Sequence, residues 1–342
     1  MRLFLLNYLL LLSICVVRAQ ERSDFYFTHV NGENGLSASN VKAILQDSYG
    51  FMWFGTKNGL NRYDGTSILQ FDCDDLEEGT GNHNIGALFE DKERNLWVGT
   101  DRGVYIYNPA VDVFKRFKIA SSEGITLDNW VAEILSDSLD NIWVLIPHQG
   151  LFRYKDGKVH HYSLLDKDNL KNNNPECICI NEQGEVWVGT SGVGLFKYNY
   201  RDDKFEQYLA DRMGRSLIGK TIISICFQKE NAILGIWIGT MFGGVNYLPN
   251  RILTFDKYVP GSDSHSLNTK RIRGLAEDNN GCIWIGTEDN GVNVLDPRTG
   301  KVHQIHDNVP GRLITLSVKH YENHIYVGLF KQGMNDISIP GE

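Results

Sequence analysis

A chain of 342 residues with 34 Lys and Arg against 42 Asp and Glu has a formal charge of −8. An acidic chain without a basic stripe is a poor binder of polyanions, which excludes nucleic acid as a partner. A hydrophobic content of 42% is that of a globular domain, and six irregularly spaced cysteines do not read as a disulfide framework.

The first element is a processing segment, residues 1–19. Arg2 supplies a positive start, Leu3 to Val17 is mostly apolar, and Val17-Arg18-Ala19 ends on a small residue. The run is short for a bilayer span and fits a signal peptide cleaved before Gln20, which predicts a periplasmic protein. Losing Arg2 and Arg18 takes the charge from −8 to −10. Cys73, Cys177, Cys179, Cys226 and Cys282 then remain, an odd set expected as buried free thiols.

Residues 20–342 are organised by a repeat. Its clearest copies read Asp47-Ser-Tyr-Gly50-Phe-Met-Trp53-Phe-Gly55-Thr56 and Asp278-Asn-Asn-Gly281-Cys-Ile-Trp284-Ile-Gly286-Thr287. Others centre on Trp97, Trp143, Trp187 and Trp237, and a seventh has Tyr326 in the Trp position. A period of 40 to 50 residues holding several short strands is that of a β-propeller. In the first copy the strands are predicted at Val41–Gln46, Phe51–Gly55, Leu60–Tyr63 and Ser67–Phe71, with turns at Asp47–Gly50 and Asp64-Gly65. The turn glycine becomes Arg94, Asp140 and Asn323 in three copies; Arg tolerates the left-handed region poorly, so Asn95 is expected to take its place. One Trp per blade in a fixed position points to core packing rather than to a ligand platform.

The seventh copy supplies only three strands, Leu313–Lys319, His324–Leu329 and Gly333–Ser338. The fourth is expected from the start of the chain, Phe25–Val30, which stands before blade one as Leu253–Tyr258 stands before blade six. The fold class is therefore all-β, a seven-bladed β-propeller clasped by its N-terminal strand, which also removes a free sheet edge.

The form Asp47, Gly50, Trp53, Gly55, Thr56, Gly59, Leu60, Tyr63, with the lead-in Gly35-Leu36-Ser37, resembles the two-component regulator propeller repeat. The resemblance runs through all seven copies. It implies the periplasmic sensor region of a hybrid two-component system, of the kind that senses oligosaccharides. Such proteins usually carry a second propeller, an immunoglobulin-like domain, a membrane helix, a histidine kinase, a receiver and a DNA-binding module. This chain shows no nucleotide-binding glycine box and no phospho-acceptor histidine in a helical context, so no enzymatic activity is expected of it. Membrane attachment would come only through such further segments, and a homodimer or a second propeller is the expected protein partner.

In a propeller the loops joining strands two and three, and blade to blade, share one face with the channel mouth. Residues that break the repeat there are the candidate ligand site: Trp130, His148, Gln149, Phe242 (with Met241), Arg271, Arg273, Asp289 and Asn290. Aromatic faces with a few fixed polar groups are what a sugar needs. No cofactor is expected, and His160-His161 and His303-x-x-His306 are too isolated for a metal site. The alternative is a propeller glycoside hydrolase or lyase, for which a matched carboxylate pair and an arginine cluster are not evident.

Overall fold

The computed structural model describes residues 26–71, 84–118, 124–164, 174–192, 194–208, 219, 221–228, 235–248, 256–263, 266–305 and 313–339. The proposed signal segment, Phe25, Cys73 and parts of the expected strand Leu253–Tyr258 and of the Gln228–Ile236 turn lie outside them. Seven four-stranded antiparallel sheets form the disc. Blade one runs through Val41–Gln46, Met52–Thr56, Gly59–Tyr63 and Ile68–Phe71, within one residue of each predicted end. The other innermost strands are Ile85–Glu90, Glu133–Ser136, Pro175–Ile180, Ile222–Phe227, Ile272–Glu277 and Thr315–Tyr321.

Blade seven is completed from the start of the chain. Tyr26–Val30 pairs antiparallel with Gly333–Ser338, from Tyr26↔Ser338 to Val30↔Met334. The innermost strand of blade seven packs beside that of blade one, so the ring is closed. Val30, Leu36, Val41, Phe54, Tyr326 and Met334 form the apolar layer under this seam.

Between each pair of blades lies such a layer, and the motif Trp is its centrepiece. Trp53 packs with Leu60, Ile85, Leu96, Val98, Tyr105 and Tyr107, which spans blades one and two. Trp143, Trp237 and Trp284 are fully buried, each removing a large apolar area from water. The motif glycine is required by close approach: a Cβ on Gly55 would stand 2.6 Å from Ile85 Cγ2 of the next blade. The motif Thr closes the next loop, Thr56 Oγ1 donating to Gly59 O at 3.0 Å and Thr287 Oγ1 to Gly291 O at 2.8 Å.

The motif Asp does two jobs. Asp47 Oδ1 accepts from the backbone N–H of Tyr49 and of Phe51, each at 2.9 Å, fixing the turn. Its Oδ2 accepts the indole N–H of Trp53 at 2.7 Å. Asp91, Asp137 and Asp278 hold Trp97, Trp143 and Trp284 in the same way. The turn itself departs from expectation in two blades. Arg94, not Asn95, takes the left-handed conformation with φ 64°, because Asn95 is held by Asp91 through both its backbone and its side-chain amide. In blade seven Glu322, not Asn323, does so with φ 53°.

Candidate ligand site at the channel mouth

The axial channel is lined by the innermost strands and encloses about 370 Å³. In six blades the pairing of strands one and two slips by one residue near the mouth, between Val41 and Ala43, Ile85 and Ala87, Pro175 and Cys177, Ile222 and Ser224, Ile272 and Gly274, and Thr315 and Ser317. Such a bulge leaves one unpaired residue per strand and re-aims its side chain. The bulge residues Lys42, Gly86, Glu176, Ile223, Arg273 and Leu316 all line the channel.

Three of the six are charged, and their surroundings set their chemistry. Burial pulls the Lys42 amine below its ordinary pKa, with Asp101 working against that shift and Lys57 adding to it. Its Nζ stands 4.3 Å from the centroid of the Trp130 ring, a cation–π geometry. Burial raises the Glu176 carboxyl, opposed by a hydrogen bond from Ser191 and by the charges of His148 and Arg273. Arg273 pairs with Glu288 at 3.2 Å while its Nε is buried with no hydrogen-bond partner. Ser224 Oγ and Ser317 Oγ are buried and unpartnered too, but each is turned back onto strand two, against Gly239 and Gly328. Buried polar groups without partners are rare and mark a place where a ligand or water has bonds to make.

Trp130 lies across the rim. Its ring covers Gly86, where a Cβ would come within 2.6 Å of it, so the absent side chain in blade two makes room for the indole. His148 adopts the left-handed conformation, φ 66°, and its backbone N–H donates to Asn174 Oδ1. Gln149 accepts a hydrogen bond at its carbonyl from His161 Nε2, 2.7 Å, and its own Oε1 is buried without a partner. Asp289 Oδ1 is likewise buried and unpartnered.

The structure separates the remaining candidates from this group. Phe242 is 56% exposed and carries the Arg271 guanidinium 5.9 Å from its ring centroid; neither lines the channel. Asn290 is structural: its Nδ2 donates to Asn268 O at 3.2 Å and its carbonyl accepts from Asn268 Nδ2 at 2.8 Å, tying two loops together. Of the candidates, Arg273 lines the channel and Trp130 stands at its rim against Lys42 and Gly86, while His148 acts on Glu176 from the side. Lys42 and Glu176 were missed from sequence. Aligning the seven innermost strands on the residue before the small Ala43, Ala87, Cys177, Ser224, Gly274 and Ser317 would have shown them as charges in a mixed column.

Deeper in the channel two more residues break the pattern. Glu133 replaces the small residue of that column, and its Oε2 accepts the Ile178 N–H of the next blade at 3.1 Å. Lys319 stands where other blades carry Leu45, Phe89, Leu135, Cys179, Cys226 and Ala276. It is open to channel water yet surrounded by protein. Burial pulls its pKa down, but Glu133, Tyr321, Cys179 and Cys226 outweigh this and the ammonium is favoured. Cys177, Cys179, Cys226 and Cys282 are free thiols, and burial raises the pKa of Cys177 and Cys179, making them poor nucleophiles. Among the described residues no group of His, Cys, Asp and Glu is arranged to hold a metal.

Residues 35–58, 79–102 and 266–289 match the model of the two component regulator propeller family. The chain carries two component regulator propeller repeats. No curated protein matches it. Among solved structures it is similar to the extracellular domain of a protein described as a hybrid two component system, BT3049 of B. thetaiotaomicron, with a TM-score of 0.71 and 23% identity over 92% of this chain and 42% of that one. A second such extracellular domain from B. thetaiotaomicron gives 0.73 and 24% over 93% and 40%. Virginiamycin B lyase from Staphylococcus aureus gives 0.69 at 10% identity, over 93% of this chain and all of that one. At these identities the likeness is one of fold, and the chain spans about two fifths of the length of the two B. thetaiotaomicron structures. No helix among the described residues is long and apolar enough to cross a membrane.

Proposed function

We propose that this chain is an exported, non-catalytic sensor propeller of a two-component signalling system, and that it takes an oligosaccharide at the channel mouth. The repeat matches and the two extracellular domains of similar fold support the sensor reading. The observation that carries the ligand reading is the placing of Lys42, Glu176 and Arg273 around one opening, with the Trp130 ring against Lys42 and with Arg273 Nε buried and unpartnered. An aromatic face beside both donors and acceptors is the composition of a sugar site. A sensor of this kind passes its signal on by contact, to a second propeller or to a second copy of the chain. The one observation on the side of an enzyme is the fold shared with a lyase, and at 10% identity that speaks of fold alone.

Isothermal titration against plant, host and microbial oligosaccharides, with product analysis of each mixture, tests this. Binding without cleavage, weakened at least tenfold or so in Trp130→Ala and in Arg273→Gln, is the expected result. Cleavage of any glycan would overturn the sensor reading, and a glycan that binds both variants as tightly as the native chain would move the site elsewhere.

A further inference from the structure

On the face opposite the channel mouth, where strand one turns into strand two, a cleft of about 280 Å³ opens between blades one and two. Asp47, Tyr49, Phe51, Arg62, Arg94, Tyr107 and Pro109 are among its lining. Arg62 stands opposite Trp53 in the strand pairing, with its guanidinium 4.6 Å from the Phe51 ring centroid and 5.7 Å from that of Trp53. Among the described residues this half-buried guanidinium has ring contacts only, with no hydrogen bond and no ion pair.

The same position in blade three shows what such an arginine takes. Arg153 stands opposite Trp143, and its Nη1 donates to Asp203 Oδ1 of blade four at 3.0 Å and to Tyr198 Oη. Tyr162 Oη donates to the same carboxylate at 2.6 Å. Tyr200 then fills the space below: its one hydroxyl proton is shared between Asp137 Oδ2 at 2.8 Å and Gly184 O at 2.9 Å. Blade one has Phe71 where blade three has Tyr162, each opposite the corresponding leucine, Leu60 and Leu151. Blade two has Pro109 where blade four has Tyr200, and Asp112, the counterpart of Asp203, is engaged by Tyr107 Oη at 2.9 Å. The chain supplies the hydroxylated rings Tyr162 and Tyr200 at one junction and neither at the other, where Asp112 is present but makes no described bond to Arg62, and the cleft is the space beside them.

We propose that the cleft binds a small ring-bearing carboxylate, its carboxylate on Arg62 and its ring in the volume that Tyr200 occupies at the junction of blades three and four. Arg94, with its guanidinium 4.8 Å from the Tyr49 ring centroid, forms the cationic rim. Of the three carboxylates in the lining, Asp47 is committed to Trp53, Tyr49 and Phe51, Glu90 to Ser48, and Glu93 makes no described bond to Arg62, so none of them satisfies it. A guanidinium–carboxylate pair in a partly desolvated cleft is the strong form of hydrogen bonding. The site is separate from the channel mouth and stands or falls independently of it.

The test is isothermal titration of the full chain with 4-hydroxybenzoate and with glucuronate, each beside its neutral counterpart, 4-hydroxybenzamide and glucose. The expected result is binding of at least one acid, with its neutral counterpart weaker by about ten- to a hundredfold, the worth of a charge-assisted bond. Which acid binds tells an aromatic ligand from a sugar acid. Arg62→Met should remove the binding with its melting temperature kept, Arg62→Lys should retain a fraction of it, and Trp130→Ala should leave it unchanged. Equal binding of acid and neutral analogue, undiminished binding by Arg62→Met, or no binding of either acid at millimolar concentration would each overturn the proposal.

Discussion

The junction between blades one and two and the junction between blades three and four start from the same parts. Each has a motif Trp held by a turn Asp, an arginine across the ladder from that Trp, and a Tyr–Asp pair reaching over from the next blade. At blades three and four the parts are joined into one network: Arg153, Tyr162 and Tyr198 converge on Asp203, and Tyr200 ties the turn Asp137 to Gly184. At blades one and two Arg62 has rings for company and a cleft beside it. Two substitutions, Phe71 for a tyrosine and Pro109 for another, separate the two outcomes. The repeat fixes a frame, and the residues around the frame are free to be used for rigidity in one blade and for open volume in another.

The largest effect that would sharpen this contrast is at the turn carboxylates. Asp137 is 5% exposed and serves Leu139 N, Asn141 N, the Asn141 side-chain amide, the Trp143 indole and the Tyr200 hydroxyl. Asp137→Ala orphans several buried donors at once, and a loss of about 3 kcal/mol is expected. Asp47→Ala, at a more open junction with no tyrosine above it, should cost about 1–2 kcal/mol. Blade five already tolerates such an orphan: Trp237 Nε1 is buried without a partner, because its turn offers Gln228, whose Oε1 is taken by Tyr247. Urea unfolding of the two variants decides it; equal losses would mean that the network at blades three and four adds nothing.

Next in size is acid sensitivity. Asp137 and Asp203 both have their pKa lowered: burial pushes each upward, and the hydrogen bonds from Trp143, Asn141 and Tyr200 in one case, and from Tyr162, Tyr198 and Arg153 in the other, outweigh it. A carboxyl whose pKa is depressed on folding contributes stability that is present above its unfolded value, near 3.8, and is lost as pH falls through the folded value. The native chain should therefore lose stability below about pH 4. Asp203→Asn should lower stability at pH 7 and flatten that acid limb. With 53% of its side chain exposed, Asp203 is partly screened, so the expected cost of its removal is about 1 kcal/mol.

What was legible in the sequence follows from what repeats. Trp53 to Tyr326 recur every 42 to 50 residues, so the blades, their number and the closing strand at Tyr26–Val30 could be read from one chain. The indole–carboxylate bond was not: Asp47 read as a turn residue, and only the folded turn shows that its second oxygen faces Trp53. Arg94 was misjudged because propensity disfavours it at positive φ, whereas Asp91 had already claimed Asn95. The mouth was half legible. Trp130 stood out by breaking the pattern, but Lys42 and Glu176 owe their position to bulges, which shift register by one residue and leave no mark in hydrophobic alternation. The cleft at blades one and two was invisible, since it depends on what Phe71 and Pro109 lack.

The smallest effect is also the most direct comparison, a double-mutant cycle at each junction. Arg153→Met with Asp203→Asn breaks a real contact, and a coupling of about 0.5–1 kcal/mol is expected for a half-exposed pair. Arg62→Met with Asp112→Asn breaks none, because Asp112 faces Tyr107 and Arg62 lies over Phe51, so the coupling should be indistinguishable from zero. Arg62→Met alone loses a cation–π contact, about 0.5–1 kcal/mol at a partly open site, and regains part of it by burying an apolar chain. Raising the salt concentration should shrink the first coupling and leave the second where it is. A coupling of similar size in both cycles would show that Arg62 does reach an internal carboxylate in solution, and with it the case for an external one at this junction would fall.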